Sequence, residues 1–228
     1  LQNELIEKVY ASGKPTMLVL ISGRPLGVEW AAEHLPALVN AWEPGMYGGQ
    51  AIAEILYGKV NPSAKLAVTI PRSSGQVQMI YNHKPSQYFH PYAVTPSSPL
   101  YPFGYGLSYN DYEYSDLTID KTEMPADGSL KASVNVTNRG TMTGDEIVEL
   151  YIRDRFSQVT RPVKELKDFA RITLEPGETK TVEFTISSDK LRFLDKNLKP
   201  IVEPGEFIVM AGPSSADEDL LKTSFRVK

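Results

Sequence analysis

Cysteine is absent from the 228 residues. That excludes disulfides, thiolate metal ligation and a cysteine nucleophile, and it suits a reducing or an oxidising compartment equally. No apolar run approaches the roughly 18 residues that span a bilayer. Neither half carries a block of Lys and Arg, which speaks against nucleic acid as a partner. The chain opens on Leu1 and a helical pattern, without the basic segment and small-residue cleavage site of a signal peptide. A first residue other than Met reads as a fragment or a processed product. His34, His83 and His90 have no metal-ligand spacing, and no G-x-G-x-x-G occurs, so no cofactor and no metal are expected. Tryptophan is missing from the second half, which holds neither Trp30 nor Trp42, so a flat aromatic platform for stacking sugar rings is not evident there.

What is present divides into two grammars. Residues 1–111 are neutral, and residues 112–228 carry the whole net charge of −4. In the first half, Leu1, Leu5, Ile6, Val9 and Tyr10 follow helical spacing, with Gly13 as a stop. Met17–Ile21 (MLVLI) is a continuous apolar run, the mark of a strand buried on both faces of a parallel sheet. A second apolar stretch, Leu35–Trp42, ends at the turn Glu43-Pro44-Gly45. Gly48-Gly49 opens a helix that Gly58 closes, and Leu66–Ile70 (LAVTI) reads as another strand, stopped by Pro71. Alternating strand and helix imply an α/β sheet with crossovers. From about Tyr112 the pattern becomes short alternating runs: LKASVNVTN, EIVELYIRD, TVEFTIS, EFIVMAG and TSFRV. Turns at Asp127-Gly128, Arg139-Gly140, Pro176-Gly177 and Pro204-Gly205 separate them. This predicts a β-sandwich of about seven strands, fibronectin-III-like because no intersheet disulfide is available. The expected organisation is residues 1–75 as α/β, residues 76–111 as a connecting segment rich in Pro and aromatic residues, and residues 112–228 as the sandwich.

Chemistry is harder to find. Gly106-Leu107-Ser108-Tyr109-Asn110 begins like a nucleophile elbow and ends in Asn. Gly45–Gly49 before a helix offers backbone N–H groups to an anion, but close approach of the turn to a neighbouring element explains the glycines better. Glu29 and Glu33 stand four apart, as on any solvated helix face. Glu43 lies at the end of an apolar stretch, where it would face a cleft on the carboxyl side of the sheet, although a plain turn role is the commoner one.

The ordered segments KPTMLVLISGRPL, AWEPGMYGGQAIAEILYGKVNPSAKLAVTIPRSSGQVQMIYNHKPS, PLYPFGYGLSY and RPVKELKDFARITLEPGETKTVEFTIS resemble the C-terminal portion of family 3 glycoside hydrolases, bacterial β-glucosidase type. The resemblance covers essentially the whole chain. It implies an incomplete α/β/α sandwich with a mostly parallel sheet, followed by a fibronectin-III/immunoglobulin-like β-sandwich. It further implies a retaining, exo-acting parent whose nucleophilic Asp belongs to an N-terminal barrel of the same polypeptide. The parent's general acid/base Glu would lie upstream of the helix LQNELIEKV. Both carboxylates are thus expected before Leu1, no residue here is assigned a catalytic role, and the chain alone is expected to be inactive and structural. The implied partners are that barrel and a β-linked oligosaccharide or glucoside. Periplasmic or secreted localisation follows from the resemblance, and so does exposed apolar surface with self-association. Ser63-Ala64-Lys65-Leu66-Ala67 and Gln76-Val77-Gln78 depart from the usual family patterns. Tyr88, Phe89, His90 and Tyr92, with Glu43, are the candidates for a substrate rim; packing is the competing role for the aromatic residues. A stand-alone carbohydrate-binding or scaffold module is the alternative. LYPFGYGLSY (Leu100–Tyr109) reads as a packed aromatic strap that fixes the sandwich to the α/β part.

Overall fold

The computed structural model describes residues 1–76, 78–85 and 95–228. The chain forms two units, one built from the described parts of residues 1–60, 68–79 and 90–101, the other from those of 61–67, 80–89 and 102–228.

In the first unit the elements are α1 (Gln2–Ala11), β1 (Met17–Ile21), α2 (Glu29–His34), β2 (Ala37–Trp42) and α3 (Gly48–Leu56). Helix α1 ends at Ser12, and Gly13 takes φ +71°, a conformation open to glycine at little steric cost. Gly58 does the same two residues after α3. Strands β1 and β2 pair in parallel, Met17 opposite Ala37 through Leu20 opposite Asn40, with α2 in the crossover. The Met17–Ile21 run anticipates burial on both faces, but β1 leaves Met17 and Ile21 exposed; β2 is half-buried throughout. The expected strand at Leu66–Ile70 does not form. Only Ile70 pairs, in an isolated antiparallel bridge to Tyr101, because the chain bends at Ala67–Val68 and Pro71 removes the next donor.

The second unit is the sandwich. Its elements are β3 (Tyr112–Ile119), β4 (Glu123–Met124), β5 (Ser129–Asn138), β6 (Gly144–Asp154), β7 (Glu165–Leu174), β8 (Thr179–Ser187), the short helix α4 (Ser188–Leu191), β9 (Phe193–Leu194), β10 (Pro200–Ile201), β11 (Gly205–Gly212) and β12 (Leu221–Val227). One sheet has the order β3-β5-β8 and the other β4-β12-β11-β6-β7, with β9 and β10 a separate ribbon. Alternation places Val134 and Val136 of β5, Val148 and Leu150 of β6, and Phe207 and Val209 of β11 in one core between the sheets. Strand β6 is also covered on its outer face. Tyr151, with no exposed surface, lies with Met210 and Leu220, and Tyr81, Phe103, Leu166 and Ile208 pack around them.

Candidate functional site

Strands β1 and β2 are parallel, so their carboxyl ends share an edge, where α/β proteins bind ligands. The register slips there: Leu20 faces Asn40, but Ile21 faces Trp42. Trp42 takes φ +49°, an unusual conformation for a bulky residue. The Ser22 N–H donates to the Trp42 carbonyl at 3.0 Å, which holds the turn. Glu43 then lies against Gly23, where an added Cβ would sit 2.8 Å from the carboxylate Oε1. Glu43 is exposed and makes no hydrogen bond or ion pair among the described residues. Three other acids of this unit are engaged, Glu4 with Lys8, Glu29 with Arg72 at 3.1 Å, and Glu54 with Gln50, while Glu7 and Glu33, like Glu43, have no such partner among the described residues. Met46 and Tyr47 are exposed on the same turn.

The other rim candidates, Tyr88, Phe89, His90 and Tyr92, lie outside the described residues. What is described is the clamp at Gln76 and Pro96. The buried Gln76 accepts from the Arg72 N–H at 2.6 Å and donates to the Pro96 carbonyl at 2.8 Å. Arg72 Nε donates to the Ser98 carbonyl. The Ser108 hydroxyl is engaged within the turn: it donates to Asn61 Oδ1 at 2.8 Å and accepts from the Asn110 N–H. His34 stacks on Trp30 with centroids 4.2 Å apart. Among the described residues no group of three His, Cys, Asp or Glu gathers to hold a metal.

Two acids of β6 escape sequence reasoning. Glu146 and Glu149 are 2% and 4% exposed, nearly as buried as Val148 between them. Glu146 accepts from Lys65 Nζ at 3.1 Å and from the Tyr114 hydroxyl at 2.7 Å. Lys65 is itself buried and also reaches the Gly106 carbonyl. Glu149 accepts a very short hydrogen bond from the Tyr151 phenol. Burial pushes its carboxyl up to about 7, against the opposing pull of that bond and of Lys65. Burial, with Glu149 beside it, drives the Tyr151 phenol far above its ordinary value, so it stays a donor. The phase of EIVELYI offers a signal for Glu146, which shares the parity of Val148 and Leu150. Glu149 shares the parity of Tyr151, and its face is buried by segments remote in sequence.

Comparison with known proteins decides what these units are. Residues 1–109 match the model of the glycosyl hydrolase family 3 C-terminal domain, and residues 146–215 that of the fibronectin type III-like domain. The chain is a C-terminal region of family 3 glycoside hydrolases. A protein described as a β-xylosidase of Formosa agariphila is 44% identical over the whole chain, which spans 32% of that protein. The periplasmic β-glucosidase of Salmonella typhimurium is 43% identical over 94% of the chain, equal to 29% of its own length. Among solved structures, a β-glucosidase from Erythrobacter marinus superposes with a TM-score of 0.95 at 44% identity, over all of this chain and 30% of that one. The Listeria innocua β-glucosidase in complex with glucose gives 0.93 at 36% identity, over 99% of this chain and 32% of that one. This family 3 region therefore spans about a third of the relatives it matches. Among the described residues no helix is long and apolar enough to cross a membrane.

Proposed function

We propose that this family 3 region works as part of a retaining, exo-acting β-glycosidase that removes terminal non-reducing β-D-glycosyl residues. The observation that supports this most is the superposition, at 36% identity, on a β-glucosidase that holds glucose. In this reading an N-terminal barrel of the same polypeptide supplies the nucleophilic carboxylate, and a Glu also outside these residues protonates the leaving oxygen. Water then resolves the glycosyl-enzyme with that Glu as base. The 228 residues supply the scaffold, and Glu43, with Tyr88, Phe89, His90 and Tyr92, forms the rim that meets the aglycone side. The presence of a periplasmic relative supports a periplasmic or secreted location. Alone, the chain does not turn over glycosides, and its exposed Leu5, Val9, Met17 and Ile21 favour self-association. A β-xyloside is the second substrate reading, favoured by the β-xylosidase relative.

The test is hydrolysis of aryl β-glucoside and aryl β-xyloside by the full polypeptide, with the anomeric configuration of the first product read by NMR. Turnover with retention is expected, and the purified 228 residues should show none. Inversion, or no turnover by the full polypeptide, overturns the reading.

A further inference from the structure

Within the strap, Gly104 covers a carboxylic acid. Gly104, itself buried, takes φ +81°, and a Cβ there would lie 2.3 Å from Glu149 Oε2. Its N–H donates to the Leu66 carbonyl at 2.8 Å, and the Tyr105 carbonyl accepts from Leu66. On the other side of Gly104, the Phe103 carbonyl accepts both the N–H and the hydroxyl of Ser215 at 2.9 Å. The Phe103 ring stacks on Tyr81 at 4.4 Å. The strap backbone is therefore pinned directly over the Glu149 carboxyl.

The groups facing that carboxyl come from every neighbouring element. On β6 they are the Tyr151 phenol, its hydrogen-bond donor, and Glu146. Lys65, from the 61–67 segment, attracts it but spends its ammonium on Glu146 and the Gly106 carbonyl. Tyr81 and Tyr114 feel its charge from two further segments. Its cross-strand neighbours, Gly212 on β11 and Phe169 on β7, carry no charge. Glu149 forms no ion pair among the described residues. With a proton it is a neutral donor and acceptor in a buried site. Without one it is a buried anion held by a single phenol, and burial of a charge without a contacting counter-charge is costly.

We propose that Glu149 is a proton-operated latch for the strap: protonated, it lets Gly104 seat on β6, and ionised, it drives Gly104 and its hydrogen-bonded neighbours to open to water. The carboxyl's pKa near 7 places the change in the neutral range. The protein opens the strap so that the anion can be hydrated, which returns the group to its ordinary glutamate behaviour.

Hydrogen exchange of the chain, followed on peptides covering 100–110 and 215 and corrected for intrinsic rates, tests the latch. Between about pH 5.5 and about pH 8.5, linkage predicts a loss of protection on the order of 30-fold in these amides. The Glu149→Gln variant keeps hydrogen-bonding capacity without titration and should change by less than about 3-fold. Unchanged protection in the wild type, or the same loss in E149Q, overturns the latch. If E149Q does not fold, a carbon-13 titration of the wild-type Glu149 carboxyl decides. A midpoint near 7, with protection falling below that pH and levelling off above it, supports the latch, and a midpoint in the ordinary glutamate range overturns it.

Discussion

Lys65 Nζ lies 3.1 Å from Glu146 Oε1, and both side chains are almost fully buried, at 9% and 3% exposure. The two residues are 81 positions apart, so this pair ties the segment before the strap to the middle of the sandwich. Removing one partner leaves a buried unpaired charge, which typically costs 3–5 kcal/mol. Lys65→Met should therefore lower the unfolding free energy by about 4 kcal/mol in denaturant titration. The double variant Lys65→Met, Glu146→Gln should recover most of that loss, since replacing both ends removes the orphan charge.

Stability should fall as pH rises through the neutral range. Glu149 has its pKa raised in the folded protein, from 4.5 to about 7. The folded state therefore holds the proton more tightly than the unfolded one. The group's stabilisation is complete below about pH 4.5, declines between there and about pH 7, and is gone above. The displacement corresponds to about 3 kcal/mol. Urea melts of wild type and Glu149→Gln across this range should show the wild type losing stability relative to the variant as pH increases. Parallel curves would contradict the assignment.

Two glycines with positive φ should respond differently to alanine. Gly104 combines φ +81° with a Cβ position 2.3 Å from Glu149, whereas Gly45, at φ +70°, has nothing within 4 Å. Gly45→Ala bears only the left-handed strain of about 1–2 kcal/mol. Gly104→Ala adds displacement of a buried carboxylate and should cost about 3 kcal/mol or more. Equal midpoint shifts in paired denaturation curves would mean that the strap yields freely.

Phe103 is half-buried rather than fully buried. It stacks on Tyr81 and packs by Tyr151 and Met210, while its carbonyl holds Ser215. Phe103→Ala removes the ring and keeps the backbone bonds. The expected cost is about 2–3 kcal/mol, below the range for a fully enclosed Phe. A thermal midpoint unchanged within error would reduce the ring to a surface contact.

The β-sandwich was legible because its physics is local. Alternation in β5, β6, β8, β11 and β12 sets which side chains enter the core, and Pro176-Gly177, with Gly177 at φ +75°, turns the chain where the sequence says it should. The helices α1 and α3 and the strand β1 were legible for the same reason, whereas Leu35–Trp42 read only as an apolar stretch and the structure makes it β2. Leu66–Ile70 was misread because an apolar run gives strand propensity but not strand partners; its backbone bonds go to Tyr101, Gly104 and Tyr105, in a segment more than 30 positions away. Of the candidate site, only Glu43 stands among described residues, directly after β2.

By itself the sequence determined the family, the two grammars and the turns, since hydrophobic period and glycine placement act over a few residues. It also fixed the absence of cysteine chemistry. Only the tertiary structure decided that Glu146 and Glu149 are buried and Lys65 engaged, and that Gly104 must lack a side chain. Burial on the outer face of β6 depends on which distant segments cover it, and no local pattern of charge or period records that.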